Sequence, residues 1–154
     1  KKLLIILFAG VLILPVSAQQ YKGARIKSQE EKLNEEYCTG LFKSAEGTIL
    51  DVSSSTSAVG YTNILDWLQG RVAGLQIYTS RTGEPIPVIR GTVPGIYIDE
   101  IPVSLNNLGI LNINDIAIIK VIKNPFYGGF NGSGGAIAIY TLGGEEEEEG
   151  SGSK

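Results

Sequence analysis

The 154-residue sequence contains no histidine and no methionine, one cysteine (Cys38) and one tryptophan (Trp67). Each absence removes a class of chemistry. Without imidazole, no general base is available for Ser-His-Asp or Cys-His catalysis. Without histidine or a second cysteine, the usual zinc ligand sets cannot be assembled. A single thiol forms no internal disulfide, which excludes a bridge-dependent scaffold even for an exported chain. Basic residues are outnumbered, 13 Lys and Arg against 16 Asp and Glu, giving a formal charge of −3 and a pI near 5.0. No basic stripe is dense enough to neutralise a row of phosphates, so nucleic acid is not an expected partner.

What is present suits one compact domain: the length is that of a single unit, and 43% of residues are hydrophobic. Part of that apolar content lies at the start. Lys1 and Lys2 precede an apolar run from Leu3 to about Leu14, and Pro15-Val16-Ser17-Ala18 follows before Gln19. A charged start, an apolar stretch of about a dozen residues and small residues before a cut are the order of a secretory signal. The run is short for a membrane span, which needs about 20 apolar residues. Residues 1–18 are therefore read as a signal peptide and the chain as exported; a short membrane anchor that is never cut is the alternative.

Residues 19–60 read as a polar leader, with a helical turn in Gln29–Glu36 and a serine-rich loop at Ser53–Ser57. Residues 61–142 hold the patterned part. Apolar residues at Ile64, Leu65, Leu68 and Val72 make one helical face, with Asn63 or Thr62 as cap, Trp67 off that face, and Gly74 able to end the helix. Strands are expected at Leu75–Tyr78, Ile86–Arg90, Ile96–Ile98, Ile101–Val103, Ala117–Ile122 and Ala136–Leu142, with a tight reversal at Asp99-Glu100. Short strands interleaved with one or two short helices predict an α+β fold with a small mixed sheet. Residues 143–154 carry Glu145 to Glu149 and a Gly/Ser end, a composition that repels itself and resists ordering. A contiguous glutamate run does not fold back on one ion, so calcium is not expected there.

The candidate chemistry is thin. Gly128–Gly135 is glycine-rich, but it leads into a strand pattern rather than a helix, and no Gly-Lys-Ser/Thr follows, so a phosphate cradle does not fit. Its glycines instead suit a turn or a close backbone approach. Asp99 and Glu100 are adjacent, whereas a glycosidase pair flanks a bond from separate segments about 5 to 9 Å apart; a solvated turn is expected. Asp66 and Asp115 read as helix or turn residues, and Cys38 as an incidental thiol. No enzyme activity and no cofactor are expected.

Five stretches, in order, carry a resemblance. They are Leu68-Gln69-Gly70-Arg71-Val72-Ala73-Gly74-Leu75-Gln76-Ile77, Ile89-Arg90-Gly91, Ile96 to Val103, Ile113-Asn114-Asp115-Ile116 with Ile119 to Lys123, and Tyr127-Gly128 through Gly134-Gly135 to Thr141. Together they resemble the plug domain of TonB-dependent outer-membrane receptors, in the SusC/RagA-like branch. The resemblance covers roughly Asn63 to Thr141. It implies a globular plug seated in an outer-membrane β-barrel of about 22 strands, a location at the outer membrane or its periplasmic face, and TonB as a further partner. Members of this branch import glycans, peptides or other large nutrients. Asp99, Gly128, Gly134 and Gly135 are the implied turn and gating positions. Arg71 and Arg90 match places where such receptors lock the plug to glutamates of the barrel wall, a task that suits a planar, permanently charged guanidinium; the two are expected to lie close together on one face. Internal pairing of each arginine with Asp66, Asp115 or a carbonyl is the alternative.

Three features depart from the family pattern. Glu100 stands where the turn usually has glycine, which questions a hairpin turn requiring φ > 0. The stretch between Tyr78 and Gly91 is compact, which would shorten a ligand-facing loop. No TonB box is evident in the leader, and no barrel strands follow Thr141 in this sequence. The alternative to a receptor plug is a free-standing periplasmic interaction domain that keeps the fold without transport. The signal reading has a direct check: mass spectrometry of the exported protein should find Gln19 as the first residue, and any residue before it overturns cleavage after Ala18.

Overall fold

The computed structural model describes residues 26–128 and 132–143. The signal stretch, the acidic run and Gly129–Asn131 lie outside the described residues.

Two short helices come first, α1 (Gln29–Tyr37) and α2 (Gly40–Ser44). The start of α1 is fixed by a capping box: the Ser28 hydroxyl accepts from Glu31 N, and the Glu31 carboxylate accepts from Ser28 N. This satisfies two orphan donors reciprocally. Strand β1 (Thr48–Asp51) follows, then a turn-rich stretch through the serines and helix α3 (Ile64–Leu68), capped by the Asn63 side chain on Leu65 N. Next come β2 (Leu75–Thr79) and β3 (Pro85–Ile89), which pair only with each other as a hairpin in the segment read as compact. Strands β4 (Gly95–Ile98) and β5 (Ile101–Val103) form a second hairpin, and two 3₁₀ turns lead to β6 (Ile116–Ile122) and finally β7 (Ala136–Thr141).

The five-stranded sheet has the order β1-β6-β7-β4-β5; β4 and β7 are parallel and the other pairs antiparallel. The fold is therefore α+β with a mixed sheet. The central pair explains the arrangement. Every residue of β6 is buried, as are the first five of β7, so both faces must be covered, and continuous apolar runs rather than alternating ones result. One face carries Ile116, Ile119, Val121, Ile137 and Ile139, packed under Ile64, Leu65, Trp67 and Leu68 of α3 and Leu75 and Ile89 of the small hairpin. The other carries Ala117, Ile118, Ile122, Ala136, Ala138 and Tyr140, packed against Phe42, Tyr97 and Phe126. A register shift between Ile116 and Ile118 puts Ala117 and Ile118 on the same face and returns Ile116 to the α3 side. In β7 the alternation Ala-Ile-Ala-Ile makes one face bulky and the other a trough deep enough for three aromatic rings in edge-on and tilted contact. The ring centroids of Phe42 lie 5.0 Å from Tyr97 and 4.6 Å from Phe126.

Two expectations need correction. The leader is not simply polar chain: its residues 29–51 supply α1, α2 and an edge strand of the sheet, because Cys38, Phe42 and Ile49 are buried on the aromatic face. The helix begins as expected but stops at Leu68, six residues before Gly74. Gln69 leaves helical geometry and Gly70 takes φ +77°, so the earlier glycine supplies the left-handed stop. Trp67, outside the predicted stripe, is buried with its neighbours, its indole N–H 3.2 Å from the Ser57 hydroxyl.

The sheet's free edge is blunted. Pro102, at the centre of β5 opposite Tyr97, has no N–H to offer an incoming strand. At the other end of β7, Gly135 has φ +80°, and a Cβ there would sit 2.2 Å from the Ile122 carbonyl oxygen. Gly83 also has positive φ, but its Cβ would meet open space. The contrast sets a prediction. Gly83→Ala should lower stability by about 1 kcal/mol, the left-handed penalty alone. Gly135→Ala should lose on the order of 3 kcal/mol, because the β6–β7 backbones must also part. Urea midpoints of the two variants check it.

Candidate functional site

The Asp99-Glu100 reversal is the first cluster of interest. Asp99 has φ +47° and Glu100 φ +67°, so both central residues are left-handed. This is the twist a two-residue hairpin needs, and glycine is the usual solution. Here side-chain bonds hold it instead. The Asp99 carboxylate accepts from Thr141 N and Thr141 Oγ1, both at 2.8 Å. The Glu100 carboxylate accepts from Thr39 N at 2.6 Å, from the Thr39 hydroxyl, and from the Tyr140 hydroxyl at 3.1 Å. The doubt about turn type is thus resolved in favour of the primed turn. The turn is also not simply solvated, since each carboxylate is tied to a different element. The two point to different partners and do not form an acid/base couple.

A second cluster was not legible in the sequence. Lys120, in the middle of β6, is 2% exposed. Its Nζ donates to Asn34 Oδ1 of α1 and to the Phe42 carbonyl, both at 2.6 Å. No carboxylate pairs with it among the described residues. Burial pushes the ammonium below the ordinary lysine range, against the weaker pull of Cys38 and Glu100. Burial likewise raises the Cys38 thiol and the Tyr140 hydroxyl. The Tyr97 hydroxyl, buried beside Phe42 and Phe126, has no hydrogen-bond partner among the described residues. The only sequence signal was the lone polar residue inside Ile116–Ile122; alternation alone could not tell whether that face was covered.

Arg71 and Arg90 are both exposed and have no shared neighbour among their described contacts. Arg71 lies over the Trp67 ring, 4.6 Å from its centroid, and donates to the Ser57 hydroxyl at 3.0 Å. Arg90 borders an open cleft of about 290 Å³ with Glu46, Gly47, Thr48, Lys123 and Asn124. Neither forms an ion pair among the described residues. Arg90 has φ +52° and Gly91 φ +83°, and reciprocal backbone bonds between Ile89 and Thr92 close the turn. Arg90 thus holds a strained backbone conformation with no side-chain hydrogen bond among the described residues. The glycines are sterically required: a Cβ at Gly128 would lie 2.4 Å from the Phe126 ring, and one at Gly134 2.6 Å from the Val93 carbonyl oxygen. A separate cleft of about 390 Å³, between Val93–Ile96 and Pro102–Leu105, has no charged side chain in its lining.

The buried ammonium predicts a pH signature. With its folded-state pKa below its unfolded value, Lys120 makes the unfolded chain bind more protons between the two values. Its contribution to stability therefore rises with pH in that window. Lys120→Met should remove the component. The stability difference, wild type minus variant, should grow in favour of wild type from neutral pH toward about 10.4. Urea unfolding of both proteins at several pH values checks it; a difference flat in pH contradicts it.

The sequence matches no protein-family model and no curated protein sequence. Solved structures do match. A structure of the RagAB peptide transporter aligns with TM-score 0.51 and 25% identity over 63% of this chain. The closed-closed state of the RagAB peptide importer gives 0.53 and 24% over 64%. A variant of the ferric enterobactin receptor PfeA from Pseudomonas aeruginosa gives 0.53 and 15% over 75%. The matched region is a small part of each: this chain spans 12% of the RagAB chains and 19% of the PfeA chain. The sheet and its covering elements have the fold of the plug domain of TonB-dependent receptors.

Proposed function

We propose that this chain is the plug and gating module of a TonB-dependent outer-membrane nutrient uptake receptor, exported and seated in a β-barrel. The observation that carries the reading is the plug fold shared with RagAB and PfeA, whose names describe a peptide transporter and a ferric enterobactin receptor. Its task is steric closure of a pore and release on ligand binding, with TonB supplying the pull. A peptide is the nutrient class favoured by the likeness to RagAB.

The arginines support the docking half of the proposal. Arg71 and Arg90 are exposed and unpaired with any carboxylate among the described residues. Trp67 backs the Arg71 guanidinium, which keeps its planar fork ordered. Arg90 sits in a left-handed conformation held by the Ile89–Thr92 backbone bonds, and its side chain adds no hydrogen bond or ion pair among the described residues, a pattern that points to use by a partner. Barrel-wall glutamates are the partner proposed for both, with Asp99, Gly128, Gly134 and Gly135 shaping the parts that move.

Replacing both arginines with Gln should leave the thermal midpoint of the isolated chain nearly unchanged. Arg90→Gly should raise stability by about 1 kcal/mol by relieving the left-handed strain. Both variants should be retained less well by the receptor barrel. The assay is co-expression with that barrel lacking its own plug. Co-purification and loss of antibiotic leakage through the open pore are the expected results. A wild-type chain that neither co-purifies nor closes the pore overturns the reading, as does a double variant that unfolds for want of its arginines.

A further inference from the structure

Residues Ser28–Ala45 lie across the aromatic face of the sheet, and the way they are fastened is unusual. Among the described residues, no backbone–backbone hydrogen bond joins this segment to a strand. The segment's own backbone bonds close within it, Lys32 to Ser28, Cys38 to Asn34, Lys43 to Thr39 and Ala45 to Leu41. Asn34 Nδ2 also donates to the Lys43 carbonyl, tying α1 to α2. The attachments to the sheet run through side chains. Lys120 holds Asn34 and the Phe42 carbonyl, Glu100 holds Thr39, Gln29 reaches Asp51 at 3.3 Å, and Tyr140 meets the Cys38 thiol and the Tyr37 ring, the two ring centroids 6.5 Å apart. Within the segment only Cys38 and Phe42 are buried.

We propose that Ser28–Ala45 is a detachable strap that leaves the sheet as one piece, hinged at Glu46-Gly47, while the sheet and the opposite core stay folded. Internal bonds make it a unit, and a few side-chain clasps make it separable. One group beneath it favours opening. The Tyr97 hydroxyl, without a hydrogen-bond partner among the described residues, is cut off from water when the strap is closed and regains it when the strap lifts. What opening uncovers is the trough of Ala117, Ala136 and Ala138 in which Phe42 packs with Tyr97 and Phe126. Beyond Gly47, β1 begins its ladder with Thr48 opposite Val121, and a Cβ at Gly47 would lie 2.8 Å from the Val121 carbonyl oxygen, so the chain is held tightly from there on. Local opening of such a unit below the global unfolding free energy is ordinary protein behaviour.

The sequence supplies its own reporters. Cys38, the single cysteine, is buried in the strap; Trp67, the single tryptophan, is buried in the opposite core. The test is alkylation of Cys38 by iodoacetamide in the full chain across sub-denaturing urea, with Trp67 fluorescence followed in parallel. The expected result is labelling with a weak urea dependence while Trp67 remains native. Thr39→Val removes the hydroxyl bond to Glu100 and keeps the backbone one, and Lys120→Gln removes the charged donor; each should speed labelling by about tenfold, the loss of one charge-assisted hydrogen bond, without changing the native Trp67 signal. Labelling that follows the full urea dependence of global unfolding overturns the strap, as does a Thr39→Val rate equal to wild type. If Lys120→Gln does not fold, the wild-type urea dependence and Thr39→Val still decide. The outcome is separate from docking: a strap that opens in a chain no barrel retains upholds this inference and defeats the plug proposal.

Discussion

Strands β6 and β7 are covered on both faces, and the rest of the described chain is arranged around that constraint. A strand pair buried on two sides cannot be half polar. It therefore requires two separate covers, and the chain makes them from different stretches. Helix α3 and the β2–β3 hairpin cover the isoleucine face; α1, α2 and Phe126 cover the alanine face. The small residues of the second face decide its character. Alanine leaves depth for rings, so that cover is aromatic, and its packing is set by the edge and tilted contacts among Phe42, Tyr97 and Phe126.

Depth on that face also admits one long polar side chain. Lys120 enters a layer that is otherwise apolar and finds neutral acceptors only, an amide oxygen and a main-chain carbonyl. A buried ion pair would bring the desolvation of a second charge. Two neutral oxygens take two of the ammonium's three donors at lower cost, and burial of the charge lowers its pKa. The Glu100 carboxylate performs the reciprocal task at the other end of the cover, accepting from Thr39 and Tyr140. The turn that positions Glu100 is strained, and those bonds, with the Asp99 bonds to Thr141, are what hold it. Local backbone strain and long-range attachment of the first helices are thus one feature seen at two scales.

This explains what could be read in advance. Every strand of the second half was legible, because β-branched and apolar runs between glycine and asparagine punctuation carry their own signal. The α+β class followed from their interleaving with short helical stretches, and the order of motifs pointed to the plug fold. The first half was not legible. Thr48–Asp51 is four residues long, and its pairing with β6 is decided more than sixty residues away. Cys38 and Phe42 look like isolated apolar residues in a polar stretch until the alanine trough that receives them is known. The turn at Asp99-Glu100 was legible as a turn, but its type depended on Thr39, Tyr140 and Thr141, none of them local. Arg71 and Arg90 could be named from motif position, but not the fact that their surroundings differ.

That difference bears on how the chain distributes its cations. Lys120 is committed internally: two of its donors are engaged, its head is out of water, and an outside carboxylate could reach it only by displacing α1. The two arginines are the opposite case. Arg71 rests on an indole face with one bond to a hydroxyl, an arrangement that orders the guanidinium yet leaves most of its five donors unused. Arg90 is placed by a left-handed turn that any glycine would make at lower cost. Folding alone explains Lys120, because removing it would take away the donor to Asn34 Oδ1 and the Phe42 carbonyl beneath the cover. Arg90 has no side-chain hydrogen bond or ion pair among the described residues, so its guanidinium adds nothing to the internal bonding seen there. Lys120 is a cation that the fold consumes, whereas Arg71 and Arg90 are cations that it leaves at the surface.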